Sequence, residues 1–439
     1  MTLRRALPAA LALLVAATVF SVTLASSSVG ELILVGRPWR WRLLGALCVA
    51  AVVAALAFGR RARLPLLGYA LPLGLVVLAY ISTAWSIDPS LTARRATTLL
   101  LLFVAGAALA TAAAGRPELL RAVLAGLLLG ATALAVGGLL VLAFAHGDAI
   151  QGADTQSPAR YQGLGGNPNT AAMLLALGVP LSLWVVLDAR RLVVRALGGA
   201  ALALLVGSIV ASGSRGAMIA ALVASLVLVT AATRGRRRLV LAGMTVAVFA
   251  GGVLVSQIPK PISKRPGIHR VVRPSNAVVR NAELALPLDQ EIGAENGAHP
   301  SIRRRLFGSS GRSQAWGGAL HTAAHRPVAG YGFGTEERAF VDRYYTFDSG
   351  RPENSYIGAL LQLGIVGLVL LIGLAAWAFW RYARRPADLA APAAACLAGG
   401  LVLGITQSYL FSVGNDATLA VWFAWFMLVA ATARPRPAG

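Results

Sequence analysis

Long stretches without charge constrain this chain more than any other feature. Twelve apolar runs have roughly the length needed to cross a bilayer. Lipid cannot satisfy the hydrogen bonds of an open backbone, so we interpret each run as a helix. The sequence therefore predicts an all-α polytopic membrane protein with about 12 transmembrane helices. The predicted spans are residues 6–25, 41–58, 65–82, 96–114, 118–145, 169–187, 192–211, 216–233, 239–256, 356–380, 388–410 and 417–433.

The amino-acid composition agrees with this interpretation. Of the 439 residues, 57% are hydrophobic and only 13% are charged, which is about half the charged share of a typical soluble domain. The net charge of +23 comes from arginines grouped between the apolar runs. Such groups set membrane topology, and no basic and aromatic motif accompanies them. We therefore expect contact with the lipid bilayer and no nucleic-acid partner.

The distribution of arginine predicts the orientation of the chain. With a cytoplasmic N-terminus, the cytoplasmic segments carry nineteen arginines and the short outer segments carry seven, as the positive-inside rule requires. We therefore predict that both termini are cytoplasmic. The run at 6–25 also resembles a cleaved signal peptide, but its length favours an uncleaved first span. The seven outer arginines are Arg37, Arg40, Arg42, Arg94, Arg95, Arg160 and Arg215.

One long polar segment interrupts the series of spans. It divides the chain into a membrane domain of nine spans (1–256), a large extracytoplasmic loop between spans 9 and 10 (257–354), and a membrane domain of three spans (355–439). The first half of the loop, 258–305, has weak periodicity and scattered charge, so we expect it to be mostly irregular. Its second half is rich in aromatic residues and glycine, and we expect it to pack against the membrane domain.

Function is expected at the outer face, because the predicted spans hold almost no charged residues. Arg215 lies in a predicted outer turn, 212–216, between Ser214 and Gly216. Its planar guanidinium can hold a phosphate through two parallel hydrogen bonds. The alternative is an arginine that extends from a helix end to the interface. The turn alone does not distinguish the two.

A second outer segment, 160–169, leads into the sixth span. Asn167 and Asn169 are candidates to cap that helix, whose N-terminus would then favour an anion. Arg160 adds positive charge nearby. The alternative is an ordinary turn followed by a helix cap.

The end of the long loop offers the clearest candidate for a base. Glu353 and Asn354 immediately precede the tenth span, and Arg338 and Arg343 lie a few residues upstream. A carboxylate at a helix N-terminus is stabilised by the helix dipole, so Glu353 is either an acidic cap or a general base at the membrane surface.

Taken together, these segments resemble the O-antigen ligase family, which includes related O-antigen polymerases. The likeness includes the span count, the long loop before the last three spans, and the segments 85–89, 160–169 and 212–216. The family pattern at the loop end is His, then Asn, Ser or Gln, then nine residues and Gly-x-x-Gly. Here Glu353 and Asn354 precede nine residues and the segment 364–367, Gly-Ile-Val-Gly.

The resemblance implies an inverting glycosyltransferase that requires no metal and no other cofactor. It would move a glycan from a polyprenyl-diphosphate carrier, such as undecaprenyl diphosphate, to a hydroxyl of a glycan, lipid or protein acceptor. The reaction would occur at the extracytoplasmic face of the cytoplasmic membrane, with Glu353 as catalytic base. The expected diphosphate-binding residues are Arg215, Arg160, Arg338 and Arg343, and the supporting residues are Ser212, Ser214, Asn167, Asn169 and Asn354.

Glu353 departs from the family pattern, which has histidine at this position. A glutamate has an ordinary pKa of about 4.3, so it is ionised at neutral pH and can accept a proton. A partly desolvated site would increase its basicity. The change is also compatible with a different acceptor or with lost activity. His321 and His325 lie earlier in the loop and are weaker candidates for the base.

Other functions remain open at this point. A polymerase that joins carrier-linked repeat units would share the same features as a ligase. A polysaccharide-related transporter would need polar groups or broken helices near the bilayer midplane, where charge is almost absent. A non-catalytic scaffold would make Arg215 and Glu353 dispensable. Glycosyltransferases that use polyprenyl monophosphate sugars resemble one another in an acidic pair in the first outer loop, where this chain has only Glu31.

Overall fold

The computed structural model describes residues 2–59, 62–63, 65–152, 159–256, 260–261, 301–302, 312–340 and 352–435. Within these residues, ten helices are long and apolar enough to cross a membrane. The predicted all-α polytopic membrane fold is thereby confirmed. Two more apolar helices lie in predicted spans and have 17 and 16 residues. The count of twelve spans stays a prediction.

The helices follow the predicted runs in chain order. They are α1 (Thr2–Ala25), α2 (Gly30–Phe58), α3 (Leu67–Ile81), α4 (Pro89–Ala113), α5 (Pro117–Phe144), α6 (His146–Ala149), α7 (Pro168–Asp188), α8 (Leu192–Ser212), α9 (Arg215–Ala232), α10 (Gly235–Ser256), α11 (Arg312–Ala324), α12 (Glu336–Ala339), α13 (Ser355–Arg384), α14 (Ala390–Thr406) and α15 (Asp416–Ala431). A 3-10 turn, Ser82–Ala84, extends α3.

Six strands of two residues form three short antiparallel pairs outside the helices. They are β1 (Ala62–Arg63), β2 (Ile150–Gln151), β3 (Arg160–Tyr161), β4 (Lys260–Pro261), β5 (Ser301–Ile302) and β6 (Arg434–Pro435). Strand β1 pairs with β6, β2 with β3, and β4 with β5. Apart from β4 and β5, the predicted irregular half of the loop lies outside the described residues, as does Arg343.

Two helices begin well before the predicted boundaries. Arg37, Arg40 and Arg42 were expected in an outer connection, but α2 starts at Gly30 and contains all three. Arg94 and Arg95 likewise lie in the first turns of α4, which begins at Pro89. The predicted boundaries were wrong here because a helix continues beyond its apolar stretch, and arginine has a high helix propensity. The outer location of these arginines stays a prediction.

The core of the membrane domain is built from tightly packed small and branched side chains. Val15 and Val19 of α1 are completely buried and face Gly126 and Gly130 of α5. A Cβ at Gly126 would lie 2.6 Å from the Ala12 carbonyl oxygen. Such close approach of backbones is typical of membrane helices, because packing rather than the hydrophobic effect holds them together.

The helical bundle has two distinct ends. At one, called the basic end here, β1 pairs with β6 and the Arg381 guanidinium donates to the Thr432 carbonyl. At the other, called the site end, Ser27 forms a bridge with Gly165, and Thr23 donates a 2.6 Å hydrogen bond to Asp416. The candidate residues of the sequence analysis that the structure describes all lie at the site end.

Candidate functional site

The turn that carries Arg215 is built by a reversal between two helices. Helix α8 ends at Ser212, and Gly213 follows with φ of 62°, a left-handed conformation that glycine adopts without steric cost. Ser212 is 1% exposed, and its hydroxyl accepts the Ser214 N–H at 3.2 Å. Helix α9 then starts at Arg215, so its half-buried side chain lies at a helix N-terminus.

Arg160 fixes this turn from the neighbouring segment. The side chain is 7% exposed. Its Nε donates to the Ser212 carbonyl at 2.8 Å, and one terminal nitrogen donates to Asn169 Oδ1 at 2.7 Å. The Ser212 carbonyl is one of the terminal carbonyls that a helix leaves without an internal partner, so the guanidinium satisfies it. These contacts favour a positioning role for Arg160 over direct contact with a ligand.

The two asparagines of the 160–169 segment have different roles. Asn167 caps α7, and its side chain accepts the Thr170 N–H at 2.8 Å. Asn169 does not share that role, because its side-chain oxygen accepts from Arg160. The expectation that both asparagines cap the helix is therefore correct for Asn167 and wrong for Asn169.

Asn354, not Glu353, caps α13. Its side-chain oxygen accepts the backbone N–H groups of Tyr356 and Ile357 at 2.9 and 3.1 Å. Glu353 precedes the cap with φ of 51°, and it is the only described residue other than glycine with a positive φ. This conformation is uncommon for a side chain with a Cβ. The side-chain cap of α13 is therefore Asn354, and the partly exposed Glu353 stands one residue before it at the N-terminus of the helix.

The segment between α14 and α15 holds the start of α13 in place. The Asn354 N–H donates to Ser408 Oγ at 3.0 Å, and the Ser355 hydroxyl donates to the Gln407 carbonyl at 2.7 Å. The Ser355 hydroxyl also accepts the N–H groups of Tyr409 and Leu410. These bonds tie the backbone that follows Glu353 to the segment between α14 and α15.

The same segment brings α9 next to α13. A Cβ at Gly216 would overlap the hydroxyl of Thr406, so the first turn of α9 lies directly against the end of α14. Gln407 and Ser408 follow Thr406 and bond the first turn of α13. Arg215 and Glu353 are 138 positions apart in the sequence, yet they start two helices that share this support.

Arg312 completes the group from the long loop. Helix α11 begins at Arg312, and the indole N–H of Trp316 one turn later donates to the Pro352 carbonyl at 2.8 Å. This bond fixes α11 beside Glu353. Burial lowers the pKa of Arg312, the Glu353 carboxylate raises it, and the Arg215 guanidinium lowers it. Arg312 therefore lies close enough to both Glu353 and Arg215 to respond to the charge of each.

This arrangement creates a strongly anion-attracting surface. Helices α9 and α13 start at the group formed by Arg215, Arg312 and Glu353, and Arg312 is the first described residue of α11. A helix N-terminus carries about half a positive charge, which adds to the two guanidinium charges. One carboxylate stands among them. The geometry thus combines cation charge for a phosphate group with a fixed proton acceptor at its edge.

A break in α13 anchors the rest of the loop end. Gly364 has φ of 63° and ψ of −162° inside the helix, and the freed carbonyls of Leu361 and Gln362 accept the N–H groups of Tyr331 and Gly332 at 2.8 and 2.9 Å. The Gly-x-x-Gly element of the sequence therefore serves as the docking point for the loop.

The 85–89 segment also binds the loop end, through hydrogen bonds and an ion pair. The Trp85 indole N–H donates to the Ala329 carbonyl at 2.9 Å, and the Ile87 N–H donates to Tyr331. Arg338 forms an ion pair with Asp88. Trp85 therefore contributes a tertiary contact in addition to the interfacial anchoring expected of a tryptophan.

The ion pair with Asp88 bears on the predicted diphosphate-binding role of Arg338. Asp88 also caps α4 by accepting the Leu91 N–H at 2.9 Å. That hydrogen bond, followed by one from the Ser90 hydroxyl, lowers the pKa of Asp88, and the Arg338 charge adds to the effect. The half-exposed Arg338 guanidinium thus meets Asp88, whereas the charges of Glu353 and Arg215 both act on Arg312.

The rings of His321 and His325 contact each other edge to face at the end of α11, with centroids 5.1 Å apart. The two histidines lie 9 and 13 residues after Arg312, at the opposite end of α11. The sequence analysis did not single out Arg312, yet it is Arg312 on which the charge of Glu353 acts. The signal for it was weak: a lone arginine after glycine, four residues before Trp316.

One known protein family matches part of this chain. The O-antigen ligase family model matches residues 200–372. This match supports an O-antigen ligase-family assignment. The resemblance predicted from the motifs is confirmed. The matched region of this O-antigen ligase-like chain runs from α8 into α13 and includes Arg215, Arg312, Glu353 and Asn354. Comparison with curated proteins gave no match.

Proposed function

We propose that this protein transfers a glycan from a polyprenyl-diphosphate carrier to an acceptor hydroxyl. The family points to membrane glycan transfer, and the observation that carries the finer proposal is the grouping of Arg312 with Glu353 and Arg215 where α9 and α13 begin. A departing diphosphate needs positive charge that is in place before the bond breaks, and fixed cations supply it without reorganisation.

The reaction follows from these residues. The acceptor oxygen forms a bond to the anomeric carbon as the bond from that carbon to the diphosphate oxygen breaks. Glu353 takes the hydroxyl proton, and Arg215 with Arg312 holds the charge of the leaving diphosphate. Attack opposite the leaving group gives inversion at the anomeric carbon. The two guanidiniums supply the charge stabilisation for which many phosphoryl-handling enzymes use a metal ion, so we propose a metal-independent reaction.

The other predicted site residues support this group. Arg160 and Ser212 fix the turn before Arg215, Asn169 orients Arg160, and Asn354 fixes the backbone after Glu353. Ser214 is 6% exposed at the start of α9 and is proposed to complete the turn. Asn167 supports the site indirectly by capping α7.

Orientation is part of the proposal. The basic end of the bundle holds the connections that are richest in arginine, and the proposed site lies at the site end. By the positive-inside rule the basic end is cytoplasmic. The reaction is then extracytoplasmic, at the inner membrane of the cell, and both termini are cytoplasmic.

Glycan output in cells tests the proposal. A strain lacking this protein would be complemented with wild type, Glu353→Gln, Arg215→Ala or the control Glu31→Gln at matched membrane levels. Glu31 is an exposed carboxylate near the start of α2 at the site end. Carrier-linked glycan and finished polymer are quantified together. The proposal predicts that the first two variants accumulate carrier-linked glycan and lose polymer, whereas Glu31→Gln behaves as wild type.

The opposite result assigns the residues structural roles. If Glu353→Gln and Arg215→Ala both restore normal output, a transporter or scaffold explains the protein better. The product also separates ligase from polymerase. A ligase-deficient strain accumulates long glycan on the carrier, whereas a polymerase-deficient strain accumulates single repeat units.

A further inference from the structure

Three arginines and two tryptophans lie close together in α2. They occupy the segment 37–42, Arg-Pro-Trp-Arg-Trp-Arg, and are called the α2 cluster here. In the part of the chain that the structure describes, no carboxylate lies within ion-pair distance of Arg37, Arg40 or Arg42. The cluster therefore concentrates three positive charges on one short stretch of a membrane helix, where an anion would be strongly attracted.

The α2 cluster lies at the depth of the lipid headgroups. Helix α2 begins at the site end and ends at Phe58, close to β1 at the basic end. Phe58 follows Trp39 by 19 residues, which is about 29 Å along a helix. The hydrocarbon core of a bilayer is about 30 Å thick. With Phe58 at one boundary of the core, the cluster reaches the headgroup layer at the other.

The side of α2 that carries the cluster is open to lipid along its length. Trp39 and Trp41 are 47% and 40% exposed. Val49, Val53 and Leu56 follow Trp39 at helical spacing, and each is more than half exposed. This side of α2 thus combines a charged layer at headgroup depth with an apolar stripe below it, the same order of charge and hydrocarbon as in a phospholipid.

The guanidinium groups are held in place before any ligand arrives. Arg40 lies over the Trp41 ring at 4.7 Å from its centroid, and Arg42 lies over the Trp39 ring at 5.5 Å. Arg40 is half-buried, and its Nη1 would lie 3.5 Å from a Cβ at Gly414. Its buried Nε has no hydrogen-bond partner among the described residues. Donors that are already ordered lose less entropy when they bind a phosphate.

We infer that the α2 cluster binds the phosphate of an anionic phospholipid from the leaflet at the site end, with an acyl chain along Val49, Val53 and Leu56. A net negative headgroup matches the three guanidiniums, whereas a zwitterionic headgroup would bring its own cation beside them. None of the cluster residues belongs to the proposed transfer site. Lipid binding here is therefore independent of the proposed function.

Native mass spectrometry of the full-length protein tests this binding. Delipidated protein in detergent is titrated with phosphatidylglycerol, phosphatidylcholine or undecaprenyl diphosphate, and the dissociation constant of the tightest site is measured for each. Two variants lose the same positive charge at opposite ends of the bundle. The cluster variant combines Arg37→Gln, Arg40→Gln and Arg42→Gln. The control variant alters exposed arginines at the basic end and combines Arg190→Gln, Arg191→Gln and Arg237→Gln.

Phosphatidylglycerol should bind wild type and the control variant equally well. In the cluster variant its binding should weaken about a hundredfold, because each arginine near the headgroup layer contributes about fivefold. Phosphatidylcholine should bind wild type more weakly than phosphatidylglycerol. Glycerol 3-phosphate, which carries a phosphate without acyl chains, should not displace phosphatidylglycerol at equal concentration.

Four results would overturn the inference. Phosphatidylglycerol could bind the cluster variant as tightly as wild type, or phosphatidylcholine could bind wild type as tightly as phosphatidylglycerol. Displacement by glycerol 3-phosphate would assign the cluster to a soluble phosphate. A larger loss of undecaprenyl diphosphate than of phosphatidylglycerol in the cluster variant would assign it to the carrier lipid.

Single substitutions decide the matter if the cluster variant does not fold. Arg37 and Arg42 are exposed, so Arg37→Gln and Arg42→Gln should be tolerated. Each should weaken phosphatidylglycerol about fivefold, and unchanged binding in both would overturn the inference. Because no transfer reaction is measured, these results are separate from the cell assay of Glu353→Gln and Arg215→Ala.

Discussion

Replacement of Gly364 by alanine should detach the loop end from the membrane domain. The backbone at Gly364 lies in a region that only glycine adopts readily, with φ of 63° and ψ of −162°. A Cβ there would also overlap the carbonyl of Val328 and lie 2.6 Å from the Ala329 nitrogen. The docked segment must therefore move if position 364 carries a side chain.

The destabilisation of the docked loop can be estimated from the backbone strain at position 364 and the hydrogen bonds that are lost. The backbone conformation costs a residue with a Cβ about 1–3 kcal/mol. Three hydrogen bonds of the docked segment end near Gly364: Tyr331 to Leu361, Gly332 to Gln362, and Ile365 to Pro327. Each contributes about 0.5–1.5 kcal/mol. The sum of roughly 3–7 kcal/mol lowers the ratio of docked to undocked loop by a factor of about 100 or more.

Hydrogen exchange measured by mass spectrometry gives this ratio directly. The amides of Tyr331 and Gly332 should exchange about a hundredfold faster or more in Gly364→Ala, because opening of the docked segment limits their exchange. Gly373→Ala is the control, since it lies in the same helix and a Cβ there has nothing within 4 Å. Unchanged protection in Gly364→Ala, equal to that in Gly373→Ala, would refute the docking role of the break.

Three further predictions concern single side chains. Arg312→Ala should lower the transfer rate about 10²–10³-fold, as for a lost transition-state donor, whereas the exposed Arg94→Ala should leave it within twofold in the same assay. Arg160→Lys should lower stability by about 1–3 kcal/mol, because the buried Ser212 carbonyl loses a well-oriented donor; an unchanged thermal midpoint contradicts this. Asp88→Asn should destabilise the protein at pH 7. Because folding lowers the pKa of Asp88, the stabilisation that its carboxylate provides is present above about pH 4 and is lost as pH falls through the folded-state pKa. Denaturant unfolding should therefore show a smaller difference in free energy of unfolding between wild type and Asp88→Asn at about pH 3 than at pH 7.

The helices could be predicted because the bilayer forces a simple rule on the sequence. Every predicted span has a helix in the structure, since apolar runs of this length have no other way to satisfy their backbone in lipid. The boundaries were harder, as Arg37 to Arg42 in α2 show. The Gly-x-x-Gly element marked Gly364, but the break in the helix was not predicted, because a glycine inside an uninterrupted apolar run is also compatible with a continuous helix.

The site was only partly predictable for a related reason. Arg215 and Glu353 stood out as charges at predicted helix ends, and Asn167 as a cap. Arg312 stood at the start of the second half of the loop, away from any predicted span, and its position near Glu353 depends on the bond from Trp316 to Pro352. Long-range pairings of this kind leave no local pattern. The split of roles between Asn167 and Asn169 depends in the same way on Arg160.

The position of the carrier diphosphate tests the central claim most directly. Glu353→Gln in lipid nanodiscs, loaded with undecaprenyl diphosphate-linked glycan, can be imaged by cryo-electron microscopy. The account predicts diphosphate density between Arg215 and Arg312, with the first sugar facing residue 353. Diphosphate density elsewhere, such as beside Arg338, with none at Arg215 and Arg312, would contradict the account.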